Sequence, residues 1–482
     1  MASVETLPSE VLSAIFRFTL GQLPRRSYIV QLLAHHRARI HTLTKLSLVC
    51  KRWRTTALGD GTLWTTLPID TSRADCQQST TTVLERSKQA MLDVSIICDD
   101  SSATPHEALF SEISKNISRV KSLHFSTTVP EMLRNLSVSA PNLQVLEIFT
   151  VQQPADLGFL FGGDLPALLS LVLGGLTSWP LGLFSNLKDL CLILPPSHPT
   201  VNVSSLIDLM SGSPGIEEIN MSGFLSMVDD SPPSSLVRLP NLRKFTMRDC
   251  DSATVLSRTV IPATADVKIV MHHCRMGATM GILSRDYHIL RSVPEEISTM
   301  GFLTKSTTLV LQQDHKIGFG IGFYLSRSSQ PSLRIVNRSA STGAFARRSI
   351  EALAEHPHHF RNVKDLSVAL SSGGMVPWST LLRGIERIER LSVIALHAPS
   401  LLSALVVIGE DSRPVCPVLK ELHIREKGDG CAVTLDRDDV INFFAARRAL
   451  GCAASKVVVS GSGGRTWWTR AGSGDPVDDS YV

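Results

Sequence analysis

Pro141-Asn142-Leu143-Gln144-Val145-Leu146-Glu147-Ile148 decides how the body of this chain is built. Its apolar residues follow a short rule: apolar, two variable, apolar, one variable, apolar, at Leu143, Leu146 and Ile148. The last two are spaced by two, so they share one side of an extended strand while Val145 and Glu147 face the other. The rule returns at Leu168/Leu171/Leu173, Leu187/Leu190/Leu192, Ile216/Ile219/Met221 and Leu242/Phe245/Met247. Later copies are Val363/Leu366/Val368, Ile388/Leu391/Val393 and Leu419/Leu422/Ile424. Weaker ones centre on Leu67, Val94, Leu123, Val267, Leu309, Leu333 and Val457.

A strand this short is unstable alone, but parallel copies stacked side by side bury their alternating apolar residues as one ladder. Segments such as Val203 to Met210 and Thr380 to Ile388 have helical character and would cover that ladder. The stretches PNLQVLEI and LPNLRKFTM resemble the strand start of leucine-rich repeats, and the spacing between centres lies mostly near the period of that family. The resemblance implies an α/β fold: an irregular leucine-rich-repeat-like solenoid with parallel strands over residues 65–460. Two departures argue for irregularity. The family's Asn or Cys after the strand occurs only as Cys250, and the gap from Val267 to Leu309 demands an insertion or a further repeat. A generic α/β domain with parallel strands is the other reading.

Upstream, Leu7-Pro8-Ser9-Glu10 reads as a helix start, with Pro8 in the first turn and Glu10 near the positive end of the dipole. Val11, Leu12, Ile15 and Phe16 follow at helical spacing, and Gly21 with Pro24 end the helix. The spacing of Leu43, Leu46, Cys50, Trp53 and Ala57 predicts a second helix from Leu43 to Leu58, and the basic stretch Arg25 to His41 has room for one of its own. LPSEVLSAIF, then LTKLSLVCKRWRTTAL, then Leu63-Trp64 closely resemble the F-box, over residues 4–64. One departure is the extended linker 21–42 between the two motif halves. The resemblance implies a small helical module that docks on the Skp-type adaptor of a cullin-RING (SCF-type) ubiquitin ligase. The adaptor-binding residues it implies are Leu7, Pro8, Val11, Leu12, Ile15, Phe16, Leu46, Leu48, Val49, Cys50 and Trp53.

Composition narrows the classes. The 482 residues are 43% hydrophobic and 19% charged with a net charge of +4, which excludes a largely disordered chain and a polybasic nucleic-acid binder. Charge is uneven: residues 1–60 hold nine basic and three acidic side chains, hence +6, leaving −2 for the rest. An acidic partner for the first module is therefore favoured. Nine cysteines lack CxxC spacing, and the start MASVETLPSEV is no secretory signal, so a reduced cytoplasmic or nuclear setting is expected. Leu165 to Leu187 carries no charge, but Pro166 and Pro180 and its repeat pattern argue against a membrane span. Residues 461–482, rich in Gly and Ser and then acidic, read as a mostly disordered tail.

The sequence offers little for catalysis. Met271-His272-His273-Cys274 and His356-Pro357-His358-His359 lack a second ligand pair at finger spacing, so no metal is expected. Gly318, Gly320 and Gly322 form only a fragment of a dinucleotide loop, and no cofactor is expected. The expectation is a binding protein, not an enzyme, with an adaptor at one end and an unknown protein target on the body, and with neither nucleic acid nor membrane as partner. Target-facing residues are those alternating with the ladder: Glu147, Asp189, Glu218, Lys244, Arg248, Arg390, Glu421, His423 and Arg425.

Overall fold

Pro8 stands at the start of helix α1 (Ser9–Leu20) in the computed structural model of the chain, and Leu12, Phe16 and Leu20 bury one stripe of it. Gly21 ends α1 with φ +67°, a left-handed conformation that favours glycine, while its N–H donates to the Phe18 carbonyl at 3.1 Å. The structure describes residues 7–478 except 22–28, 99–106, 152–157, 178, 181, 195–200, 224–226, 229–235, 251, 272–305, 307, 315–317, 325–330, 338–342, 357–359, 371–375, 407–413, 426–436, 453–455, 461–465 and 471–476.

The expected single helix from Leu43 to Leu58 is two helices, α2 (Ile29–Ser47) and α3 (Lys51–Gly59). Cys50 is the cause. Its backbone is extended, and its Sγ accepts the Trp53 N–H at 3.5 Å, which caps α3. Arg54 Nε donates to the Ser47 carbonyl at 3.1 Å and closes the end of α2. Much of the presumed linker 21–42 is the first part of α2, the same helix that carries Leu43 and Leu46.

The chain forms two compact units, Met1–Ser235 and Leu236–Val482. In the first, strands β1 (Thr66–Asp70), β2 (Leu92–Cys98), β3 (Val120–Thr127), β4 (Val145–Thr150), β5 (Ser170–Gly174), β6 (Asp189–Ile193) and β7 (Glu218–Ser222) pair in that order, all parallel. Every repeat centre aligns with the next: Leu67 with Val94, Leu123, Leu146, Leu171, Leu190 and Ile219. All are buried. Helices α4 (Cys76–Ser87), α5 (Glu107–Lys115) and α6 (Val203–Ser211) connect strands, and Phe110 of α5 meets Phe125 of β3 with ring centroids 6.1 Å apart. The uncharged stretch 165–187 holds β5 and turns. Gly175 follows β5 at φ +76°, where a Cβ would lie 1.7 Å from the Thr150 carbonyl oxygen, so only glycine fits.

The second unit repeats the design with one reversal. β8 (Lys244–Arg248) and β9 (Asp266–Met271) pair in parallel. The next strands in sequence, β10 (Thr308–Asp314), β11 (Gly318–Tyr324) and β12 (Pro331–Asn337), form an antiparallel meander. The meander enters backwards: β12 pairs in parallel with β9, and β10 pairs in parallel with β13 (Asp365–Ala369). The glycines of the supposed nucleotide loop are thus the middle strand of a sheet. β14 (Arg390–Ile394), β15 (Glu421–Arg425) and β16 (Lys456–Ser460) continue in parallel. Part of the tail read as disordered is β17 (Thr466–Arg470), antiparallel to β16.

Helices α7 (Ser252–Ser257), α8 (Gly343–Glu355), α9 (Trp378–Arg383), α10 (Ala398–Leu405) and α11 (Arg437–Ala449) lie between these strands. The expected helix Thr380 to Ile388 is shifted to α9, because Gly384 caps it with an N–H to the Leu382 carbonyl. Fully buried Arg447 of α11 donates to the carbonyls of Leu405, Val415 and Cys416 at 3.1, 2.5 and 2.6 Å. Among the described residues every cysteine is a free thiol, and no helix is long and apolar enough to cross a membrane. His272, His273 and Cys274, and most of the other histidine cluster, lie outside the described residues.

Candidate adaptor and target interfaces

Helix α1 has two apolar stripes with opposite fates. Leu12 and Phe16 turn inward, and the Phe16 ring meets Trp53 of α3 edge-on, 5.1 Å between centroids. Val11, Ile15 and Phe18 turn to solvent at i, i+4 and i+7, and Phe18 is 90% exposed. Beyond α2, the turn that splits the two helices carries Leu48 and Val49 outward, 66% and 61% exposed. Ion pairs and caps hold these helices together. Arg17 Nη2 lies 2.9 Å from Asp60 Oδ2, and Trp64 Nε1 donates to the Ala57 carbonyl at 2.8 Å under the Arg86 guanidinium, 4.4 Å from its ring. Hydrogen bonds from Thr62 and the Arg17 guanidinium keep the Asp60 carboxyl below its ordinary range, against the opposing effect of burial.

A family model described as F-box-like matches residues 4–69. These residues are an F-box-like domain. A search of curated proteins finds no match for the chain.

The F-box-like domain sorts the expected adaptor residues. Pro8, Val11, Ile15, Leu48, Val49 and Cys50 are exposed, and Leu7 and Leu46 are half-buried. Leu12 and Phe16 are corrected to core residues, since a fully buried side chain cannot meet a partner without unfolding its own module. Trp53, half-buried against Phe16, belongs mainly with them. Phe18 was missed; it stands seven residues after Val11, and extending the helical periodicity one more turn would have found it.

On the strand bodies, the residues that alternate with the ladder differ in accessibility. In the first unit Glu147 is buried, its Oε2 2.8 Å from His124 Nδ1, so it is corrected from a binding residue to a packed one. Asp189 and Glu218 sit directly opposite each other on β6 and β7, half-buried. In the second unit Lys244 and Arg248 are exposed at the two ends of β8. Arg390, His423 and Arg425 come together around a groove of about 260 Å³, shared with Asp365, Ser367 and Ser392. Arg390 is already engaged: its Nη2 donates to Asp365 Oδ2 at 3.0 Å, a second bond runs from Nε to Oδ1, and its pKa is raised by this carboxylate. Arg425 Nε and Nη2 donate to Ser392 Oγ at 3.2 and 3.0 Å. His423 Nε2 lies 3.3 Å from Glu421 Oε2. Asp365 and Ser392 were not singled out from the sequence, yet they orient the two arginines.

A larger hollow, about 1110 Å³, opens on the helical side of the second unit, with Glu351, Glu355, Arg361, Arg383, Glu386 and Arg387 in its walls. Its open shape and alternating charges provide no closed, water-excluding pocket of the kind that catalysis prefers.

Proposed function

We propose that the chain is the substrate-recognition subunit of a cullin-RING ubiquitin ligase. The F-box-like domain docks on the Skp-type adaptor, and the parallel-strand body, read as an irregular leucine-rich-repeat-like array, holds a protein target. Such a protein makes no bond itself. It raises the effective concentration of target lysines beside a ubiquitin-loaded enzyme. The observation that carries this reading is the exposed apolar set Pro8, Val11, Ile15, Phe18, Leu48 and Val49 on an F-box-like domain. Apolar side chains clustered at a surface mark an interaction site.

The target reading rests on the second unit's polar strand face, where Lys244, Arg248 and Arg425 are exposed cations and Arg390 is held by Asp365. Adaptor pull-down with Leu48→Asp plus Val49→Asp tests the first half. Two interface anchors of ~2 kcal/mol each predict about a thousandfold loss. Because both side chains are exposed, the variant keeps its fold, as circular dichroism checks. Undiminished recovery of adaptor by the variant would overturn the contact assignment, and absence of adaptor from the wild-type pull-down would leave a binding protein whose F-box engages no ligase.

A further inference from the structure

Helix α2 lies wholly within the F-box-like domain, yet it also packs on β2 and β3, which follow that domain. Ile29, Leu32, Leu33, His36 and Leu43 lie along one face of the helix, and all are buried. The end near Leu43 leads into α3, whereas the helix also lies against β1, β2 and β3. It does so on their polar side. Arg37 Nη2 is 2.5 Å from Asp70 Oδ2 of β1. The electrostatic neighbours of Arg39 and His36 include Asp93 of β2 and His124 of β3, respectively. Ser95, midway along β2, is wholly buried. Asp70, Asp93, Ser95 and His124 all alternate with ladder residues, which face the α4 and α5 side instead.

We infer that α2 is a strap in cis, which occupies the polar face of β1–β3, closes it to partners and fixes the F-box-like domain against those strands. The strap works against a polar cost. Both ring nitrogens of His36 and the Ser95 hydroxyl are buried without a hydrogen-bond partner, as is Arg39 Nε. Burying such groups unpaired disfavours the contact, so apolar residues and the Arg37–Asp70 pair must hold it. The contact is therefore adjustable in both directions. Removing the orphaned nitrogens with an apolar side chain should tighten it, and adding a buried charge should open it.

The test uses the full chain and needs no adaptor, so its outcome is separate from that of the ligase reading. Histidine modification by diethylpyrocarbonate, located by mass spectrometry, should proceed at exposed His35 at least tenfold faster than at His36. Arg37→Glu, which sets two carboxylates together, should bring the His36 rate toward that of His35. Amide hydrogen exchange supplies the second readout. His36→Lys should raise exchange in residues 29–41 and 92–98 at least tenfold while α4, on the opposite face, stays protected. His36→Leu should slow exchange in residues 29–41, and it decides the matter if His36→Lys also unfolds α4. Equal modification of His35 and His36 in the wild type, or exchange in 29–41 that His36→Leu leaves unchanged, overturns the strap.

Discussion

Strands β1–β3 and β13–β15 follow one pattern, with buried centres on one side and polar residues on the other, yet their polar sides end differently. Over β1–β3 lies α2, with His36 fully buried and its nitrogens unpaired. Over β13–β15 there is a groove where Arg425 is exposed and Arg390, His423 and Arg425 each have a partner. The apolar rule specifies the ladder in both places. What covers the reverse face is decided elsewhere in the chain, by a helix whose first part lies between the two halves of the F-box motif. Burial by that helix turns an open, solvated strand face into a desolvated contact whose polar atoms carry an energetic cost.

The strongest way to break the comparison is through the shared ladder. Leu146→Asp in the first unit and Leu422→Asp in the second each bury a carboxylate at a wholly buried position. Each should cost about 4 kcal/mol or more and unfold the flanking strands, because each strand leans on the next. Hydrogen exchange should show protection lost first beside the substituted strand, and retention of flanking protection would mean that the strands do not support one another.

Acid should separate the two faces next. Burial, then the neighbouring charges of His124, Arg39 and His35, push the His36 pKa down to about 3. The released or unfolded chain therefore takes up a proton near 6.5 that the docked helix refuses. Stability is full above that pH and falls as pH drops from 6.5 toward 3, by about 2 kcal/mol at pH 5. Of the acidic groups on the same face, Asp70 is held below its ordinary range by hydrogen bonds from Ser72 and Arg37, against the opposing effect of burial. His397, buried in the second unit, is shifted in the same direction, so the diagnostic measurement is Tm against pH for wild type and His36→Leu. The variant should lose the part of the acid slope that His36 supplies. Identical slopes would place His36 in water.

The smallest effect sharpens the open side. Asp365→Asn frees Arg390 and makes the β13–β15 groove more positive, at a stability cost of ~1 kcal/mol since Arg390 is partly solvated. Binding of a polyglutamate peptide should rise several-fold at low salt and return toward wild type as salt screens it. No change in affinity would exclude the groove as an anion-binding surface.

Much of the architecture was legible because burial repeats. Even the weak centres Leu67, Val94 and Val457 fall on strands and in register, since apolar alternation is what a parallel ladder requires. The reversed strand was not legible: Leu309 and Leu333 fall in parallel register with Leu366 and Val267, but β11 between them runs the other way, and side-chain alternation is the same in either direction. The adaptor motif gave the right helices but mixed two stripes of α1. Leu12 and Val11 are equally apolar, and only packing against Trp53 and its neighbours separates them. Least visible were groups whose role depends on a distant partner, such as Asp365 beneath Arg390 and His36 on the buried face of α2.

The backward meander has a consequence for what evolution or an engineer can place between β9 and β13. Both strands run the same way, and each pairs in parallel with an outer strand of the insert. Antiparallel pairing reverses direction at every step, so an odd number of strands restores the original polarity and an even number inverts it. The gap therefore obeys a parity rule. A single strand or another three-stranded meander preserves parallel pairing at both seams, whereas a two-stranded hairpin forces one seam to change its hydrogen-bond pattern.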